Sequence, residues 1–136
     1  SGTRPLLIGQ FSKCPDKPNC VSSKSNINLH KIAPITYKGT TQYALNKILG
    51  ILKTMPRNKK SIKKGNFIHA EFTSKIFRFV DDAEFYFNKL GTIDFRSASR
   101  IGYSDMGVNR ERLEDIRLLF DEIISGSIIK IPLNQL

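Results

Sequence analysis

Hydrophobic and polar positions fall into distinct regimes along this chain. From Ser1 to Lys38 there is no period. Pro5, Pro15, Pro18 and Pro34 are scattered among Ser, Asn and Lys, which predicts an extended, loop-rich arm with a short strand at Ile35-Thr36-Tyr37. After Gly39 the pattern becomes helical. Leu45, Ile48, Leu49, Leu52 and Met55 make one apolar face, Thr40 is placed to cap its start, and Pro56 stops it. The period then switches to two. Strands are predicted at Ser61–Lys64, Phe67–Thr73, Lys75–Asp81, Glu84–Asn88 and Thr92–Ala98, with connections short enough for antiparallel hairpins. Leu113, Ile116, Leu119, Phe120, Ile123 and Ile124 return to helical spacing, capped by Asn109 or Asp105 and ended by Ser125-Gly126. Ile128–Ile131 reads as a last short strand.

Alternation assigns the faces of the sheet. Ile68, Ala70 and Phe72 share one side with Phe77, Phe79, Phe85, Phe87, Ile93 and Phe95. His69, Glu71, Arg78, Glu84, Tyr86, Asp94 and Arg96 take the other. The aromatic side needs cover and the charged side can face water. The predicted fold is α+β: an antiparallel meander of about five strands, two helices packed on its aromatic face, and an extended N-terminal arm. With 136 residues the chain is read as a single domain, an arm over 1–38 and a body over 39–136.

Charge changes this picture in one respect. The net charge is +10, and residues 1–66 carry 13 Lys and Arg against one acid, Asp16, while residues 67–136 carry nine against 11. The basic excess is therefore N-terminal, densest at Lys53, Arg57, Lys59, Lys60, Lys63 and Lys64. It suits an anionic membrane surface or a solvated lysine-rich loop. Nucleic acid is disfavoured as a partner, because no aromatic residue is interleaved for base stacking. No apolar run approaches the roughly 20 residues of a membrane-spanning helix. The start Ser1-Gly2-Thr3 reads as a trimmed end, behind which an export segment could have stood.

Cys14 and Cys20 are the two cysteines, separated by a loop stiffened by Pro15 and Pro18. A disulfide staple is the expected reading and implies an oxidising compartment such as a bacterial periplasm. Reduced buried thiols are the alternative. Zinc is disfavoured by the spacing and by a supply of only two histidines, His30 and His69. No metal or other cofactor is expected.

The densest polar stretch is Arg96-Ser-Ala-Ser-Arg-Ile-Gly-Tyr-Ser-Asp-Met-Gly-Val-Asn-Arg-Glu-Arg112, at a strand–loop–helix junction. Arginines at a helix start oppose its dipole, so Arg96, Ser97, Ser99, Arg100, Ser104, Asp105, Asn109 and Arg110 are candidate ligands for a carboxylate or phosphate. The alternative is internal pairing of Asp105 with Arg100 or Arg110. A second constellation joins His69 and Glu71 to Asp81 and Asp82, which are read as the start of a turn. A His beside carboxylates can do acid–base work. No P-loop, nucleophile elbow or zinc-protease signature occurs.

Four ordered blocks, Cys14–Ser23, His69–Ser74, Phe79–Phe85 and Arg96–Arg110, resemble the bacterial and chloroplast family known as domain of unknown function fourteen-ninety-nine. The resemblance implies a small domain often found behind a lipoprotein or export signal, with no established activity. It also implies that His69, Glu71, Asp81, Asp82, Glu84, Arg96, Ser97, Ser99, Arg100, Ser104, Asp105, Asn109 and Arg110 form one site. The resulting expectation is a protein of the periplasm or cell envelope that binds an anionic small molecule or lipid headgroup. Two alternatives stand beside it: a hydrolase or other acid–base enzyme using His69 with Asp81 or Glu71, and a structural or protein-interaction module.

Overall fold

The structure, a computed structural model, describes residues 11–75 and 78–125, the last three of these without their side chains. Its elements are β1 (Cys20–Ser22), β2 (Ile35–Thr36), α1 (Thr41–Thr54), β3 (Asn58–Lys64), β4 (Phe67–Thr73), β5 (Val80–Asn88), β6 (Thr92–Ser99) and α2 (Val108–Ser125). The four long strands form an antiparallel meander that β1 extends, giving the order β1-β6-β5-β4-β3, and β2 also pairs with β6. This is the expected α+β architecture with one strand more. Both short strands come from the arm, which is bound into the sheet through Cys20↔Ala98 and Ile35↔Ile93.

Both helices cover one face. Thr40 caps α1, its hydroxyl accepting from the Tyr43 amide, and the helix buries Ala44, Leu45, Ile48, Ile51 and Leu52. From α2 come Leu113, Ile116 and Phe120. They meet Ile68, Ala70, Phe72, Phe85, Phe87, Ile93 and Phe95 in one core, where the rings of Phe85 and Phe95 stand 6.2 Å apart. The β5–β6 hairpin depends on Gly91. Its φ is +95°, and an added Cβ would lie 2.9 Å from the Tyr37 carbonyl oxygen.

Several details differ from expectation. Lys75–Asp81 and Glu84–Asn88 are not two strands. Val80–Asn88 is continuous, so Asp81 and Asp82 lie mid-sheet, paired with Phe72 and Glu71 of β4. Adjacent acids read as turn chemistry; a strand can hold them here because each buried carboxylate has an arginine partner. Arg78 and Phe79 sit in the β4–β5 connection, with Phe79 40% exposed, so Phe79 does not join the aromatic face. Phe77, Gly126 and the expected strand at Ile128–Ile131 lie outside the described residues. The lysine-rich run is an edge strand, not a loop. Lys59, Lys60, Lys63 and Lys64 all lie exposed in β3, where charges discourage pairing with another chain. The charged face is also less open than expected, since Asp82, Glu84 and Arg96 are fully buried.

Cys14 and Cys20 form a disulfide with a Cα–Cα distance of 5.5 Å. It ties the arm to β1 at a residue paired with β6. Titration of the denatured, unreduced protein should find no free thiol. Reduction should lower stability by about 2 kcal/mol in urea denaturation, the loop-entropy value for so short a loop.

Candidate functional site

Strand alternation sends the adjacent acids of β5 to opposite faces. Asp81 joins the helix side and Asp82 and Glu84 the outer side. Each meets a different arginine. Arg112 Nη2 lies 2.9 Å from Asp81 Oδ2, Arg100 Nε lies 2.8 Å from Asp82 Oδ2, and Arg96 Nη1 lies 3.2 Å from Glu84 Oε1. The arginine-dense run is thus largely a set of counterions for β5.

On the helix side, Arg112 also donates to Ser97 Oγ and Asn109 Oδ1, and stacks over the Phe72 ring at 4.5 Å. Ser97 Oγ donates to Asn109 Oδ1 at 2.6 Å, and Asn109 Nδ2 donates to Ser99 Oγ, to Asp105 Oδ2 and to the Asn19 carbonyl. Asp105 accepts from the Gly107 and Asn109 amides, so it closes the turn and caps α2. It makes no ion pair with Arg100 or Arg110 among the described contacts. Arg110 instead donates to the carbonyls of Lys31 and Leu29. Ser104 is exposed and accepts from the Met106 amide. The cations at the helix start therefore have a folding role after all. They reach past the dipole to a sheet carboxylate and to the arm's backbone. This layer is packed shut and pins α2 to β6 and to Asn19.

The outer layer is different. His69 Nε2 lies 2.7 Å from Asp82 Oδ1. Arg100 grips both Asp82 oxygens at 2.8 Å and reaches Glu71 Oε2 at 2.9 Å. Lys60 approaches the same Glu71 oxygen at 3.6 Å. The Asp82 side chain is fully buried, while those of His69, Glu71 and Arg100 are 20%, 19% and 22% exposed. Behind them the Glu84–Arg96 pair is sealed, and Arg96 Nη2 also donates to the Lys13 carbonyl of the arm. His69 thus takes Asp82 as its partner. Asp81, the alternative considered for it, faces the opposite side of the sheet.

Electrostatics separates the two outer acids of β5. Burial alone would raise the Asp82 carboxyl, but the hydrogen bonds and charges of Arg100 and His69 outweigh it and hold the group at about 2. Burial is also the main influence on Glu84. There the single contact with Arg96 does not compensate, and the carboxyl is pushed up to about 7. Glu84 Oε2 has no hydrogen-bond partner among the described residues, which suits a carboxyl that keeps its proton. Burial lowers Arg96 from its ordinary value, whereas the hydrogen bond to Asp82 raises Arg100.

An ionised carboxylate only accepts, so His69 carries its proton on Nε2, toward Asp82. In the neutral ring Nδ1 is then the basic atom, and it has no hydrogen-bond partner among the described residues. Ligand atoms of His69, Glu71 and Asp82 lie within 4.8 Å of one another, a spacing a metal ion could use. However, the Arg100 guanidinium already engages both carboxylates and supplies the positive charge a cation would bring.

The residues expected to form one site therefore fall into two layers, one on each side of the sheet. His69, Glu71, Asp82, Glu84, Arg96 and Arg100 lie outside. Asp81, Ser97, Ser99, Asp105 and Asn109 lie on the helix side, and Arg110 and Ser104 belong to the loops beside it. Arg112 was missed as the Asp81 partner, and Lys60 as a neighbour of Glu71. The available signal was the Asp81-Asp82 doublet, because adjacent strand residues need partners on both faces.

Stability should follow these carboxylates. Asp82 titrates lower in the fold than its ordinary 3.8, so the unfolded chain binds more protons there. Stability should rise by about 2 kcal/mol as pH climbs from 2 to 4. Asp82→Asn should flatten that limb. Glu84 has the opposite sign: its fold-raised carboxyl favours the protonated native state, and stability should fall as pH rises from 4.5 to about 7. Glu84→Gln should remove this decline. Urea denaturation across pH 2 to 8 reads both limbs.

No curated protein and no solved structure matches the chain. The family described as "Protein of unknown function (DUF1499)" matches residues 10–120, and the chain belongs to that family.

Proposed function

We propose that the outer face carries an acid–base site, in which His69 exchanges a proton with a small polar substrate or with water. The observation that carries this reading is the 2.7 Å contact from His69 Nε2 to Asp82, a buried carboxylate itself locked by Arg100. A base oriented by a fixed carboxylate is the arrangement that general-base chemistry requires. Asp82 titrates at about 2, so it keeps its charge across the neutral range and holds the imidazole in one tautomer. Arg100 spends its charge on Asp82 and Glu71, so its part is to fix the carboxylate that orients the imidazole.

Binding of an anionic small molecule or lipid headgroup by Arg96 to Arg110 has less support. Arg96, Arg100 and Arg112 face carboxylates, and Arg110 is committed to backbone carbonyls. The sealed Glu84–Arg96 pair likewise offers little to a protein partner. The disulfide is compatible with an oxidising compartment, and on that ground we propose the periplasm or cell envelope.

The test is a panel of chromogenic esters, phosphoesters and amides assayed from pH 5 to 9. At least one class should be turned over. His69→Ala should cost at least about 100-fold in kcat, and Asp82→Asn at least about tenfold with KM little changed. Turnover indifferent to His69→Ala, or no turnover across the panel, would overturn the reading.

A further inference from the structure

A second surface, separate from His69 and its partners, has no role in this chemistry. The loop from Ile101 to Val108 packs against two turns of the arm. Asn19 Nδ2 donates to the Gly102 carbonyl at 2.8 Å, and Arg110 joins the carbonyls of Leu29 and Lys31. Pro18, Leu29, Ser104, Gly107 and Arg110 line a shallow groove of about 220 Å³ between them. Large apolar side chains stand out from this end of the molecule: Met106 is 91% exposed, Tyr103 67%, Ile101 59% and Leu29 51%.

Such exposure is not a by-product of packing. Met106 sits at φ +58°, a conformation unfavourable for a residue with a side chain, and its turn is held by the Ser104 and Asp105 side chains. The loop keeps Met106 outward without burying it. Exposed Lys17 adjoins Pro18 in the chain and exposed Lys31 follows closely after Leu29, so both border residues that line the groove. Protruding apolar tips around a groove bordered by lysines match a bilayer interface. There the tips enter the headgroup–acyl boundary while the ammonium groups meet anionic lipid.

We propose that this end of the molecule, with Leu29, Ile101, Tyr103 and Met106 at its tips, docks reversibly onto an anionic lipid surface. The occupant is the bilayer surface, not a single headgroup held in a pocket. The proposal does not depend on the acid–base reading, since none of these residues touches His69, Glu71 or Asp82.

Co-sedimentation with vesicles tests it directly. The full chain should bind vesicles containing phosphatidylglycerol at least tenfold more tightly than pure phosphatidylcholine vesicles, and binding should weaken with salt. Met106→Asp and Tyr103→Asp, both on exposed positions, should each reduce binding at least tenfold while leaving the melting temperature unchanged. Lys31→Glu should reduce binding to the anionic vesicles only. Equal binding by wild type and Met106→Asp, or no binding to either vesicle, would overturn the proposal. So would a dimer in sedimentation velocity that Met106→Asp abolishes, which would assign the patch to a second copy of the chain.

Discussion

Three carboxylates in one central strand set the terms for this fold. Asp81, Asp82 and Glu84 lie in β5 with neighbours on both sides, where water cannot neutralise them. A buried charge left without a partner costs several kcal/mol, so the chain must deliver a cation to each. It does so from a single stretch. Arg96 comes from β6, Arg100 from just past its end, and Arg112 from the second turn of α2. The pairing fixes where β6 ends, how the loop turns and where α2 lands on the sheet. Arg110 completes the set by tying α2 to the arm through two backbone carbonyls.

This constraint also creates the asymmetry of the molecule. On the helix side the polar groups close on one another: Arg112, Asp81, Ser97, Asn109 and Asp105 bond among themselves. On the outer side the network ends at His69, whose ring is partly exposed and whose second nitrogen is uncommitted among the described residues. The neighbouring acids are driven in opposite directions by contact number. Asp82 accepts from Arg100 and His69 and stays ionised; Glu84 has Arg96 at one oxygen and tends to keep a proton. Separation of this kind between adjacent acids is a recurrent property of acid–base sites.

Much of the architecture is legible in the sequence because periodicity is a local signal. Leu45, Ile48 and Leu52 mark α1, and Ile68, Ala70 and Phe72 mark one face of β4; both are read from spacing alone. The arm's short strands are not legible, because Cys20–Ser22 and Ile35–Thr36 owe their conformation to pairing with β6, not to their own pattern. The site is legible as a set of residue types but not as a geometry. Asp81-Asp82 looks like turn chemistry until Arg100 and Arg112 are known to be within reach. The arginines look like an anion receptor until their carboxylates are seen. Long-range ion pairs leave no periodic trace, so this part of the reading had to come from the three-dimensional structure.

The account rests on Arg100 serving as the counterion that holds Asp82, and through it His69, in place. A double-mutant cycle with Asp82→Asn, Arg100→Gln and the pair, read by urea denaturation at pH 7, measures that coupling. The account predicts a coupling of about 2 kcal/mol, as for a buried charge pair in direct contact. A coupling below about 0.5 kcal/mol, the range of exposed surface pairs, would contradict it.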